Sequence, residues 1–315
     1  MPVDAELKPA RARPSPVAAG MTSHDAFMAL VRACLEHIIA NQHGMLESSD
    51  PEYLHQTRVA LRRLRSVFGT FTALFPAHAL APLSEETRWL ARMLGPARDW
   101  DVFDDETLPP VIARYAGHAG IAAMARSAAR LRLAANRRAR RALASARGQE
   151  LLRALGDWLN AGARFEAPDR ATGAAGGEAQ RPATDFAGEV LEAGFKRVAK
   201  RGRHLDGLVP RELHRLRIAA KKLRYAVEFF APLYDDARAG AYRAALVRLQ
   251  DALGSYNDAV TVKQLAARAN RGLQGAAADE ASAIMLSWSA GMRERSTRNL
   301  QRVWKKFCAA RTFWK

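Results

Sequence analysis

A repeat constrains this chain more than any other feature. His55-Gln-Thr-Arg58-Val-Ala-Leu-Arg62-Arg63-Leu64-Arg65 recurs as His214-Arg-Leu-Arg217-Ile-Ala-Ala-Lys221-Lys222-Leu223-Arg224, at an offset of 159 residues. The register holds without a gap through Phe71 and Phe230, Leu90 and Leu249, Leu94-Gly95 and Leu253-Gly254, and Asp99 and Asp258. Phe27 and Phe186 fall at the same spacing. A match that long is a duplication, and it predicts two similar units related by a pseudo-two-fold axis.

The units read as helical. Ala-, Leu-, Arg- and Glu-rich stretches broken by Gly and Pro carry helical periodicity, and few Val, Ile or Thr runs alternate. The pattern predicts helices over His24–Glu47, Pro51–Leu74, Leu80–Leu94, Ala97–Tyr115, His118–Ala146 and Gln149–Ala161. Further helices are expected over Asp185–Arg201, Pro210–Leu233, Ala237–Leu253, Tyr256–Arg271 and Asp279–Ala310. The expected organisation is a flexible tail (1–21), a first helical bundle (22–166), a linker rich in Gly and Pro (167–183) and a second bundle (184–315). Each Leu-Gly pair reads as a helix break, which sets Asp99 and Asp258 to cap or enter the following helix.

On a helical wheel, Arg58, Arg62 and Arg65 fall within about 80° of His55. Leu61, Leu64, Val67, Phe68 and Phe71 occupy a separate apolar face. His214, Arg217, Lys221 and Arg224 repeat the geometry against Leu216, Leu223, Val227 and Phe230. A charged helix face is usually just solvated. This one is nearly pure in sign, lacks carboxylates at i+4 to relieve the repulsion, and occurs twice. Both points favour an anionic ligand. The whole chain carries 49 Lys and Arg against 32 Asp and Glu, a net +17, which disfavours an acidic small-molecule specialist and points to a polyanion. Arg predominates, and its guanidinium fork suits phosphate oxygens. Further basic stripes are candidate contacts: Arg126, Arg130, Arg137 and Arg141; Arg295, Arg298, Arg302 and Lys305; and Lys196 with Lys200. Arg63 and Lys222, beside the main stripes, join them.

His55 and His214 open their motif helices just after Pro51 and Pro210. Hydrogen-bond donation to phosphate oxygen, linkage to a carboxylate, catalysis and metal ligation all stay open for them, the first two foremost. The run from Asp99 through Asp101, Asp104, Asp105 and Glu106 could hold Mg²⁺ beside a phosphate, yet only Asp258 survives in the second copy. No Walker loop or zinc signature is present, so the expectation is binding without catalysis, cofactor or metal. With two cysteines, no apolar leader and no spanning segment, a cytoplasmic setting is expected.

The doubled motif, the Leu-Gly-x-x-Arg/Asn-Asp pairs and the closing Val303-Trp304-Lys305-Lys306-Phe307 to Phe313-Trp314 resemble the CHAD domain, the conserved histidine α-helical domain, from about Thr22 to Lys315. The resemblance implies an all-α fold of two antiparallel four-helix bundles around a basic central cavity. It implies binding of inorganic polyphosphate and association with polyphosphate granules. The ligand set it implies is His55, Arg58, Arg62, Arg65, His214, Arg217, Lys221 and Arg224. A nucleic-acid-binding module is the main alternative, although no aromatic platform for base stacking is visible. A phosphohydrolase or phosphotransferase using the histidines or the Asp99–Glu106 run comes after it.

Overall fold

The computed structural model describes residues 8–75, 77–161 and 179–315. The described residues are almost wholly helical, and Thr22 and Pro182 form an isolated β-bridge. In chain order the helices are α1 (Ser23–Glu47), α2 (Pro51–Phe71), α3 (Ala77–Val102), α4 (Leu108–Arg114), α5 (Ala119–Ala144) and α6 (Ala146–Asn160). They continue as α7 (Ala183–Gly202), α8 (Pro210–Phe230), α9 (Asp236–Ala269) and α10 (Ala276–Cys308). A π-helical turn, Phe103–Thr107, joins α3 to α4.

Local chemistry sets the motif helices in matching frames. α2 starts at Pro51, where a missing N–H costs nothing, and Asp50 caps it by accepting from the Glu52 N–H. α8 starts at Pro210, and the Glu212 carboxylate accepts from the Val209 N–H at 3.1 Å. Both helices run 21 residues and end in a 3₁₀ turn, Thr72–Leu74 and Ala231–Leu233, so the repeat offset is kept to the last turn.

Packing joins the two copies. Phe27, Phe71, Phe186 and Phe230, two repeat-related pairs, meet with ring centroids 5.3 Å apart for Phe27–Phe71, 5.0 Å for Phe71–Phe186 and 5.8 Å for Phe71–Phe230. Aromatic pairs at such distances add about 0.5–1.5 kcal/mol beyond their buried area. This apolar core runs through α1, α2, α3 up to Ala97, and α7, α8 and α9 up to Leu253. A second core gathers Trp100, Phe103, Val111, Ile121 and Met124 against Val262, Leu265, Ala266 and Met285. Asp99 and Asp258 thus lie on α3 and α9 where one core gives way to the other.

The structure corrects the helix breaks of the sequence reading. Gly95 and Gly254 lie inside continuous helices rather than at breaks. Glycine costs a helix interior only about 1 kcal/mol, less than burying Leu90, Leu94 and Ala97, or Leu249 and Leu253, on one continuous face. Asp99 and Asp258 are therefore mid-helix residues and cap nothing. The expected flexible tail is, over residues 8–21, tied to the bundle: Val17 is buried, Asn41 Nδ2 donates to the Ala10 carbonyl at 2.9 Å and Ser15 Oγ donates to the Phe229 carbonyl at 2.6 Å. Of the expected linker, residues 167–178 lie outside the described residues, while Ala183 N donates to the Met21 carbonyl at 2.9 Å.

Candidate anion-binding site

α2 buries Leu54, Leu61, Leu64 and Phe68 and turns His55, Arg58 and Arg62, all half-buried, off that apolar face. α8 buries Leu213, Leu216, Ala220 and Leu223 and leaves Arg217, Lys221 and Arg224 half-buried and His214 exposed. The two helices touch. Arg62 Nε donates to the Tyr225 hydroxyl, and Arg63 forms an ion pair with Glu228.

The basic stripes meet at their middles. Lys221 is surrounded by Arg217 on its own helix, Arg62 and Arg58 on α2, and Asp258 on α9. Burial first, then the three guanidinium charges, pull its amine down to about 7, and Asp258 only partly opposes them. Burial and the nearby Asp258 and Arg62 act on Arg217. Arg58 lies against α3, where its Nη1 reaches the Ala91 carbonyl at 3.5 Å. A Cβ on Gly95 would stand 3.5 Å from that nitrogen. Asp99 faces Arg58 as Asp258 faces Arg217, so the duplicated motif carries a duplicated carboxylate partner. Surrounding protein raises the carboxyls of both aspartates against the pull of these arginines. His55 is lowered by burial and by Arg98, Arg62 and Arg58, with Glu52 opposing. Around Lys221 three arginines thus stand against the one carboxylate of Asp258.

Other candidates fall elsewhere. Arg63 is buried toward the core and pairs with Glu228 instead of joining the half-buried stripe. Arg65 is exposed and lies beside Arg88 and Arg92 of α3. Lys196 pairs with Glu192 at 3.4 Å, Arg298 pairs with Glu294 at 3.1 Å, and Arg302 Nη2 donates to Asn299 Oδ1 at 2.9 Å. Arg126, Arg130, Arg137, Arg141, Lys200, Lys222, Arg295 and Lys305 are exposed and do not figure among the charges acting on Lys221, Arg217 or Arg58.

The acidic run is largely consumed by a residue the sequence reading missed. Arg132 of α5 donates from Nε to Asp101 and from Nη1 to Asp104 and Asp105, each at 2.8 Å. Asn136 Nδ2 adds a bond to Asp101 at 3.1 Å, so these carboxylates brace the π-helical turn against α5. Arg98, which reaches Glu106 at 3.5 Å, and Arg268, which acts on Asp99 and stands over the Trp100 ring at 5.5 Å, were also missed. Arg98, directly before Asp99, was legible; Arg268 and Arg132 carry no repeat signal.

Comparison with known families turns on the same stretch. The CHAD domain family matches residues 29–267, which span both copies of the motif. The chain belongs to the CHAD domain family. Among solved structures, the CHAD domain from the plant Ricinus communis is 31% identical, with a TM-score of 0.82, covering 96% of this chain and 98% of that one. PptA from Streptomyces chartreusis is 18% identical, with a TM-score of 0.69, over 90% of this chain and 100% of its own, a likeness of fold. No curated protein matches the chain. The all-α class expected from the sequence is the class of this CHAD domain, and no helix among its described residues is long and apolar enough to cross a membrane.

Proposed function

We propose that this CHAD domain binds inorganic polyphosphate in a basic cavity between its two motif helices, without acting on it chemically. The observation that carries the reading is that Arg58 and Arg62 of one motif helix and Arg217 of the other all act on the half-buried Lys221. Four cations packed half-buried, with Asp99 and Asp258 beside them, repel one another; a linear polyanion relieves that repulsion by engaging both stripes at once. His55 and His214 stand at the outer ends of the stripes, where an imidazole can donate to a phosphate oxygen. In this reading Arg58, Arg62, Arg65, Arg217, Lys221 and Arg224 hold the chain, the protein resides in the cytoplasm at polyphosphate granules, and proteins of those granules are its further partners. Nucleic acid is the weaker competitor: its phosphates are more widely spaced along the chain and carry bulky bases.

A competition titration tests this. Labelled long-chain polyphosphate, bound to the protein, is displaced by unlabelled polyphosphate, duplex DNA or RNA at equal phosphate concentration and several salt concentrations. Polyphosphate should displace best, with affinity falling steeply as salt rises through counterion release. Equal or better displacement by DNA or RNA would move the function to nucleic acid. Phosphate released in the presence of Mg²⁺ would move it to hydrolysis.

A further inference from the structure

The two halves agree at their centre and part company beyond it. On α3, Arg88, Arg92, Gly95 and Asp99 lie at i, i+4, i+7 and i+11 and therefore share one helix face. That face lies along α2, because Arg58 meets Ala91 and Gly95 while Arg65 feels Arg88 and Arg92. The contacts run antiparallel, so the basic group of Arg65, Arg88 and Arg92 continues the Arg58–Arg62 stripe to roughly 10 Å beyond Arg58 along α2. Arg65, Arg88 and Arg92 are all exposed, and the two α3 arginines are among the charges acting on Arg65.

The second half keeps the frame and one of these three charges. At the repeat offset, Arg224 replaces Arg65, but Val247 stands for Arg88 and Asp251 for Arg92. Arg98, beside the cluster in the first half, becomes Asn257. A duplicated scaffold has thus acquired polarity, with a basic path leaving the centre along α2 and α3 and a carboxylate across the equivalent path along α8 and α9.

We propose that Arg65, Arg88 and Arg92 form a second phosphate-binding patch that receives the part of a phosphate chain running out of the central cluster, so that chain-length preference is set on the α2–α3 side alone. The inference rests on the polyphosphate reading above. A short chain is held by the centre and stops before the patch, whereas a long chain crosses it. Asp251 turns the chain away from the opposite exit, and the ligand lies in one direction through the domain.

Calorimetry with tripolyphosphate and with long-chain polyphosphate tests this on the full chain. Arg88→Ala with Arg92→Ala should weaken long-chain binding roughly three- to tenfold, the effect of two solvent-accessible phosphate contacts. Tripolyphosphate binding should change less than twofold. Arg11→Ala with Arg13→Ala removes equal charge from two exposed positions of the N-terminal segment and should leave the ratio of long- to short-chain affinity as in the wild type. Asp251→Arg supplies the missing charge to the other half and should raise long-chain affinity, a gain that a misfolded variant cannot mimic. Equal losses for both chain lengths in the Arg88/Arg92 variant, or none, would overturn the patch, as would an Asp251→Arg variant that binds no tighter. Absence of polyphosphate binding by the wild type would overturn the central reading instead.

Discussion

Lys221 is the one lysine among the six Arg or Lys positions of the paired stripes. A guanidinium at this point would stay charged at any physiological pH; the ammonium does not. Buried, and with Arg217, Arg62 and Arg58 around it, Lys221 gives up its proton near pH 7, and a polyanion bound there as proposed would supply the negative charge that restores it. Binding at about pH 8 should therefore take up a proton, and affinity should increase as pH falls from about 8 to about 6. The folded, ligand-free chain holds fewer protons than the unfolded one between about 7 and the ordinary lysine value of about 10.4. Its stability accordingly rises with pH across that window. His55, also lowered by its surroundings, adds in the same direction on binding. Calorimetry in buffers of different ionisation enthalpy reads the proton directly. Lys221→Arg should keep the affinity and remove most of the uptake, and a variant with an unchanged pH profile would assign the proton to another group.

Helix ends were legible in the sequence where chemistry marks them, and helix interiors were not. Pro51 and Pro210 announce the starts of α2 and α8, and the 21-residue lengths follow from the apolar faces behind them. Leu94-Gly95 and Leu253-Gly254 look like stops because glycine is a poor helix former, but neither glycine adopts a positive φ, and the buried leucines beside them carry the helix through. Nothing lies within 4 Å of a Cβ built on Gly254. Gly254→Ala should therefore stabilise the protein by about 0.5–1 kcal/mol, read by denaturant unfolding. A destabilised variant would mean that α9 does break there. Gly95 differs, since the Arg58 guanidinium rests at 3.5 Å from where its Cβ would be. One glycine faces open space, and a Cβ on the other would stand in ordinary van der Waals contact with Arg58 where it lies against α3.

Across the whole molecule the duplication was legible, but the way its halves combine was not. Repeat-related phenylalanines could be picked out by spacing, but only the fold shows Phe27, Phe71, Phe186 and Phe230 meeting in one core. The stripes on α2 and α8 were likewise visible on a wheel, while their approach at Lys221 depends on helix packing across 159 residues of sequence. Arg63 shows the converse limit: spacing alone could not separate it from the half-buried stripe beside it, and its partner, Glu228, lies in the other half. If both stripes hold one chain, weakening either should remove most of the benefit of the other. Calorimetry with long-chain polyphosphate on Arg58→Ala/Arg62→Ala, on Arg217→Ala/Lys221→Ala and on the quadruple variant measures that coupling, with melting curves to establish that each is folded. Each pair should lose roughly ten- to hundredfold in affinity, at about 1 kcal/mol or somewhat more per half-buried charged contact, and the quadruple variant should lose less than the product of the two. A folded pair variant with unchanged affinity, or losses that simply multiply, would contradict a single site shared by the two halves.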